Sequence, residues 1–342
     1  MIFFDELLQV ALGRREGLSR VPSVHEWEAM YDEAERQAIV SLLLSGIEKL
    51  PVEQLPPMDV KLQWIGMTQM DEATYKMHCE RAAELTRRCR AVGFSSRVLK
   101  GVAIARYYPE PERRQCGDID LWMFGRRKDV MKWFRSQYEI EHDVWHNAGV
   151  KLFEDVPVEV HFHPGWLWNP FHNRHLQKFF EYESHELVKS DLGFNVPRLE
   201  FDAVFSLAHT YRHLIAGGVG LRHIVDYYYV LKKCHTDSTD LTNIVQVLMN
   251  VGLMKFTAAV MWVLKDVCGM PDSFFLCEPN EKEGRFLLNE IRRGGNFGHY
   301  GGDENEWGLV RQLVKMLPHY PSEVLWVVPW KCWHRCWRMV NR

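Results

Sequence analysis

Apolar positions in the first part of the chain recur at steps of three and four residues. Trp27, Met30, Tyr31, Ala34, Ala38, Ile39, Leu42 and Leu43 fall on one stripe, the period of a helix with one buried face. Pro51, Pro56 and Pro57 interrupt that pattern. A second helical run spans about 71–91 and ends at Gly93, a suitable C-cap. Near Phe94 the period falls to two. Residues 95–99, 117–123, 139–145, 150–153 and 156–163 read as strands, with Asn147 and Gly149 as turn residues. Short helices are expected at 101–107 and 128–138. From Leu199 the helical period returns in 201–215, 221–233, 241–251 and 254–267, with Gly217 and Gly218 separating the first two. The pattern predicts an α+β protein with an N-terminal helical region (1–93), a mixed core (94–198) and a C-terminal helical region (199–342).

Composition narrows the classes. In 342 residues the net charge is −3, 46% of residues are hydrophobic and 25% are charged. That is the profile of a globular domain, not of a disordered chain or a general nucleic-acid binder. There is no secretory leader pattern and no apolar run of spanning length. The eight cysteines include no Cys-x-x-Cys pair, so free thiols in a reducing, cytoplasmic setting are expected.

The chemistry concentrates at Gly117-Asp118-Ile119-Asp120-Leu121-Trp122. On a strand, Asp118 and Asp120 share one face, about 7 Å apart, and Ile119 and Leu121 share the other. Like charges on a half-buried strand repel, and a divalent cation relieves the repulsion. Strand 156–163 alternates in the same way. Val158, Val160 and Phe162 take one face, and Glu159, His161 and His163 take the other. Glu159 is the natural third carboxylate of a two-metal site. Between residues 80 and 114, nine cations stand against four anions. This basic approach to an acidic strand suits a polyphosphate.

Leu99-Lys100-Gly101, Arg114-x-x-Gly117-Asp118-Ile119-Asp120-Leu121 and Val158-Glu159-Val160-His161-Phe162 together resemble the polymerase-beta-type nucleotidyltransferase superfamily. More narrowly, they resemble an uncharacterised bacterial nucleotidyltransferase-like branch. His209 and Leu221-Arg222-His223-Ile224-Val225-Asp226 extend the resemblance, which covers about 95–230. It implies a minimal nucleotidyltransferase core, a small mixed sheet with flanking helices. It also implies magnesium- or manganese-dependent transfer of a nucleoside monophosphate from a triphosphate, ATP by default, to a hydroxyl of a small molecule or protein. By motif position Asp118, Asp120 and Glu159 are the catalytic, metal-binding carboxylates. Lys100, Gly101, Arg114 and Gly117 fall on the nucleotide side, and His161, His209, Arg222 and Asp226 fall in the cleft. The superfamily's Gly-Gly or Gly-Ser turn reads Lys-Gly-Val here. A non-catalytic nucleotide- or partner-binding protein on the same fold is the alternative.

Other motifs admit more than one reading. His161 and His163, with His172 and His175 following, could form a transition-metal site. Arg222 and Asp226, four apart on a helix, can form an ion pair. The glycine-rich stretch 294–302 lacks the Gly-Lys-Ser/Thr of a phosphate loop and reads as a surface loop or a lid. Trp326, Trp330, Trp333 and Trp337 form one helical stripe, with Lys331, His334, Arg335, Arg338 and Arg342 around it. It fits a terminal helix docked on the core, a partner-binding face or a membrane-surface helix. Cys332 and Cys336 flank His334 without a fourth metal ligand nearby.

Overall fold

In the computed structural model, residues 2–186, 188–296 and 306–340 are described. The chain opens with helices α1 (Ile2–Ala11), α2 (Val24–Arg36) and α3 (Val40–Ile47). Ser23 and Glu26 form a reciprocal capping box at the start of α2, which satisfies two orphan N–H groups. The stripe from Trp27 to Leu43 is therefore two helices, not one. The break falls at Ala38, whose φ is +57°. Buried Gln37 holds this break in place, accepting from Leu221 N–H and donating to the Ile291 carbonyl.

Helix α4 (Met58–Ala91) begins 13 residues before the predicted start, directly after Pro57. Its buried face changes along its length, which is why a single stripe did not mark it. Val60 and Trp64 pack among the helices, whereas Ala82, Leu85 and Cys89 pack under the sheet.

The sheet follows. Strand β1 (Ser95–Leu99) leads into the one-turn helix α5 (Gly101–Ala105), then β2 (Ile119–Phe124), α6 (Arg127–Gln137), β3 (Glu139–Asp143), β4 (Asn147–Lys151) and β5 (Val158–His161). The spatial order is β1-β2-β5-β4-β3. Among the described residues, only the β2–β5 pair is parallel. Two expectations are corrected. Strand β2 starts at Ile119, so Asp118 sits in the loop before it. Asn147 and Gly149 lie in β4, and the turn is at 144–146. A Cβ at Gly149 would stand 2.4 Å from the ring of His142, so a larger residue there displaces that side chain.

Helix α7 (Pro170–Glu183) and the ribbon of β6 (Val188–Lys189) and β7 (Asn195–Val196) complete this part. The remainder is helical: α8 (Leu199–Ala216), α9 (Leu221–Thr236), α10 (Leu241–Asn250), α11 (Met254–Asp266), α12 (Glu281–Gly294), α13 (Glu306–Met316) and α14 (Pro321–Val340). Gly294 and Gly295 close α12. The rest of the glycine-rich stretch, 297–302, lies outside the described residues, as does Arg342.

The α+β reading holds, with a small mixed sheet carried among many helices. Period-two alternation gives the sheet two faces. Val98, Ile119, Leu121, Val158 and Val160 pack with α4 and α6 in one cluster. Trp122 and Leu99 join the larger cluster, which unites α1–α3 with α8, α9 and α11. Asp120, Glu159 and His161 share the second face with Trp122, and the site lies there under α8 and α9. Helix α14 docks through Glu323, which accepts from Trp168 and Asn169 N–H and pairs with His172. Its outer side chains Leu325, Val328 and Trp333 are exposed.

Candidate active site

Parallel pairing of β2 with β5 sets Asp120 directly beside Glu159, and Trp122 beside His161. One carboxylate oxygen each from Asp120 and Glu159 and one ring nitrogen of His161 lie within 4.8 Å of one another. His161 Nε2 is 2.6 Å from Asp120 Oδ1 and 3.3 Å from Glu159 Oε2. Asn147, from the next strand, donates to Glu159 Oε2 at 2.7 Å. The two carboxylates therefore sit on adjacent strands and converge through one imidazole.

Lys100 reaches the same point from the opposite side. At the end of β1 its φ is +47°, and that of Gly101 is +39°. For a lysine this is a strained backbone. The tight turn is anchored by its carbonyl, which accepts from Ala103 and Ile104 N–H. The side chain places Nζ 2.8 Å from Asp120 Oδ1 and 3.3 Å from His209 Nε2.

These contacts explain the electrostatics. Burial acts to raise the pKa of Asp120, but the Lys100 charge and the His161 hydrogen bond outweigh it and hold the group well below the usual carboxylate range. Burial acts to lower the His161 pKa, but its hydrogen bonds to Asp120 and Glu159 raise it to about 9. Asp118 moves the other way: repulsion from Asp120, then burial, pushes its pKa up. This is the like-charge conflict expected of an Asp-x-Asp pair.

The residues surround a cavity of about 430 Å³, which Lys100, Gly101, Gly117, Asp118, Asp120 and Glu159 line on the sheet side. Helices α8 and α9 close it with His209, Arg212, His213, Arg222, His223 and Asp226. Arg114 also lines it, but its guanidinium grips Asp226 through two bonds of 3.1 and 2.7 Å. Tyr108 donates to the same carboxylate at 2.7 Å. The predicted i, i+4 pair is thus replaced: Asp226 takes its bidentate partner from Arg114, and Arg222 donates to the Gln115 carbonyl.

Every sequence-predicted site residue borders this one cavity. The histidine cluster does not assemble. His163 bonds Gln177 and His172 bonds Glu323. Among the described residues, Asp120, Glu159 and His161 are the one group with metal-ligand proximity.

Residues 23–269 match the family described as uncharacterised nucleotidyltransferase. The chain belongs to that family. A nucleotidyltransferase family implies a nucleoside triphosphate as substrate. A crystal structure of an antigenic nucleotidyltransferase-like protein from Paracoccidioides brasiliensis is similar over 45% of this chain and 75% of that one, at 15% identity and a TM-score of 0.32. No curated protein matches the chain. Among the described residues, no helix is long and apolar enough to cross a membrane.

Several residues that line this cavity were not assigned to a site from the sequence: His146, Asn147, Trp166, Arg212, His213 and His223. Arg212 and His213 stand three and four residues after His209, so helical spacing alone puts all three on one face. Burial, aided by repulsion from Lys100, keeps the His209 pKa well below that of free imidazole, and burial with Arg212 does the same to His213. Burial lowers Arg212 to about 10, opposed by Glu159 and Asp120. The cavity therefore sets an acidic floor against a basic roof.

A divalent cation fits this donor set. Carboxylate oxygens suit magnesium, and the adjoining imidazole suits manganese as well. Asp120, Glu159 and His161 are the group whose ligand atoms are close enough to hold one, and Asp118 lines the same cavity.

Proposed function

We propose that the protein transfers a nucleoside monophosphate from a nucleoside triphosphate, ATP by default, to a hydroxyl of a small molecule or a protein. The convergence of Asp120 and Glu159 within 4.8 Å, beside Asp118, carries this reading. A bound divalent ion supplies charge neutralisation at the phosphates and a lowered pKa at the acceptor hydroxyl. The chain's own residues do the rest. Asp118, Asp120 and Glu159 hold the ion, and Glu159 accepts the acceptor proton. Arg212 and Arg222 present positive charge to the triphosphate from the helical side of the cavity, and Lys100 adds its charge beside the carboxylates. Arg114 and Tyr108 keep Asp226 fixed and so hold α9 against the sheet. His161 orients the two carboxylates that it bridges.

Pyrophosphate release from triphosphates, measured with magnesium or manganese, tests this. Release by the native chain that Asp118→Ala and Asp120→Ala each abolish is the expected result. Equal behaviour of native and variant proteins across acceptors contradicts it.

One observation favours a second reading, a non-catalytic nucleotide-binding protein. Asp120 is already neutralised by Lys100 at 2.8 Å and His161 at 2.6 Å, so the site is electrostatically satisfied without an added ion. Nucleotide binding without pyrophosphate release is the outcome that selects it.

A further inference from the structure

Exposed apolar side chains gather on the last two helices. Eight of the nineteen large ones among the described residues fall between 310 and 340, on α13 and α14. Such a concentration marks an interaction surface. Helix α14 shows how it is organised. At about 100° per residue, Leu325, Val328, Cys332, Cys336 and Met339 fall within an arc of about 80°. Leu325 is 66% exposed, Val328 61% and Met339 71%, and both cysteines are exposed. The opposite side holds the helix to the core through buried Glu323 and Val327 and through Trp330, which stacks on Trp166.

Charge is ordered around this arc. Lys331, Arg335 and Arg338 occupy roughly the next 60° on one flank, and all three are exposed. Between Val324 and Val340 there is no acidic residue. Among the described residues, none of these three cations meets a carboxylate, whereas Arg81 and Arg113 pair with Asp155 and Glu48. Trp333, 48% exposed, stands on the other flank. Phe171, 69% exposed at the start of α7, extends the apolar surface through its edge contact with Trp326 at 6.3 Å.

The partner must cover aliphatic side chains and supply negative charge along one edge of them. Nucleic acid meets the cations but sets a charged backbone against the arc. A second copy of the face covers the arc but brings more cations and no counter-charge. An acidic peptide supplies charge, but the arc is the outer ridge of one helix, about 21 Å from Leu325 to Met339, and not a cleft. An anionic bilayer meets both demands. Acyl chains accept the ridge, headgroups accept the flanking cations, and indoles favour the boundary between them. Among the described residues no helix is long and apolar enough to cross a membrane, so α14 would lie in the plane of the surface. We propose that the outer face of α14 binds the surface of a lipid bilayer rich in anionic headgroups. Leu325, Val328 and Met339 enter the acyl boundary, and Lys331, Arg335 and Arg338 meet the headgroups. This inference is independent of nucleotidyl transfer.

Flotation of the full chain tests it, with vesicles of phosphatidylcholine alone or mixed with phosphatidylglycerol. Polyglutamate is the contrast ligand, and sedimentation velocity reads self-association. All substituted side chains are exposed, and thermal unfolding followed by circular dichroism verifies the fold of each variant. The expected result is flotation with the mixed vesicles and not with phosphatidylcholine alone. Arg335→Gln with Arg338→Gln weakens partition by roughly fivefold per charge. Leu325→Ser with Val328→Ser weakens it by about tenfold or more at unchanged charge. Absence of flotation with the mixed vesicles overturns the inference, as does flotation that survives either pair of substitutions. Capture of polyglutamate without flotation assigns the cations to an acidic partner instead. Self-association without flotation, abolished by Leu325→Ser with Val328→Ser, assigns the arc to a second copy. Either result also overturns it.

Discussion

Lys100 Nζ lies 2.8 Å from Oδ1 of Asp120, a carboxylate whose side chain is 1% exposed. A lysine from the turn after one strand thus occupies the side of an acid that a metal would also seek. Lys100 and a divalent ion compete for the same charge. Replacing Lys100 with Met therefore raises manganese affinity in the nucleotide-free protein by about tenfold, because removing a nearby like charge is worth on the order of 1–4 kcal/mol at intermediate dielectric. Manganese titration followed by electron paramagnetic resonance measures this. Unchanged affinity means that Lys100 and the ion do not share Asp120.

The two aspartates differ in their structural roles. Asp120 compensates Lys100 and His161, and its loss leaves buried cations unpaired. Asp120→Asn is expected to cost about 3 kcal/mol of stability. Asp118 is repelled by Asp120, so Asp118→Asn is expected to be neutral within about 0.5 kcal/mol, or stabilising. Urea unfolding at pH 7 separates them. Equal losses would show that the pair does not carry the asymmetry described above.

Arg114 and Asp226 form a buried bidentate strut between the loop before β2 and helix α9. Arg114→Met and Asp226→Asn are each expected to cost about 3 kcal/mol, and the double substitution is expected to cost clearly less than their sum. A denaturant double-mutant cycle reads the coupling. Simple additivity would remove the strut.

Four imidazoles around the cavity, His209 and His223 buried and His146 and His213 half-buried, are kept neutral. Burial lowers the His146 pKa to about 2 and the His223 pKa to about 3, with Arg212 and Arg222 as the next causes. His209 and His213 shift in the same direction. The unfolded chain takes up protons near pH 6.5 that the folded chain refuses. The stability of these groups is thus present above pH 6.5 and is lost as pH falls, by about 1.4 kcal/mol per histidine per pH unit. Unfolding free energy measured from pH 7.5 to pH 5 should fall steeply, and His223→Gln should make the slope shallower by one proton. Parallel curves for native and variant would contradict this.

Much of this site was legible in the sequence because its key devices are local. Alternation on β2 and β5 placed Asp120 and Glu159 on one face, opposite Leu121 and Val160. Which strands adjoin is not a local property, so the His161 bridge and the Lys100–Asp120 contact were invisible before the sheet order was known. Asp118 was misassigned to the strand because period-two alternation continues one residue beyond the last ladder bond. The first turns of α4 were missed because the helix buries one face against its helical neighbours and another under the sheet. Motif position placed Arg114 on the nucleotide side, but its grip on Asp226 was not legible, because that partner lies 112 positions away.

The central claim is that Asp120 and Glu159, with Asp118, hold a divalent ion that carries a triphosphate. Crystals soaked with manganese and a non-hydrolysable ATP analogue test it directly through anomalous scattering. The account predicts manganese bonded to Asp120 and Glu159, with the triphosphate directed toward Lys100, Arg212 and Arg222, and no such peak in Asp120→Asn. A cavity without manganese, with Lys100 still on Asp120 and the nucleotide bound elsewhere, would contradict it.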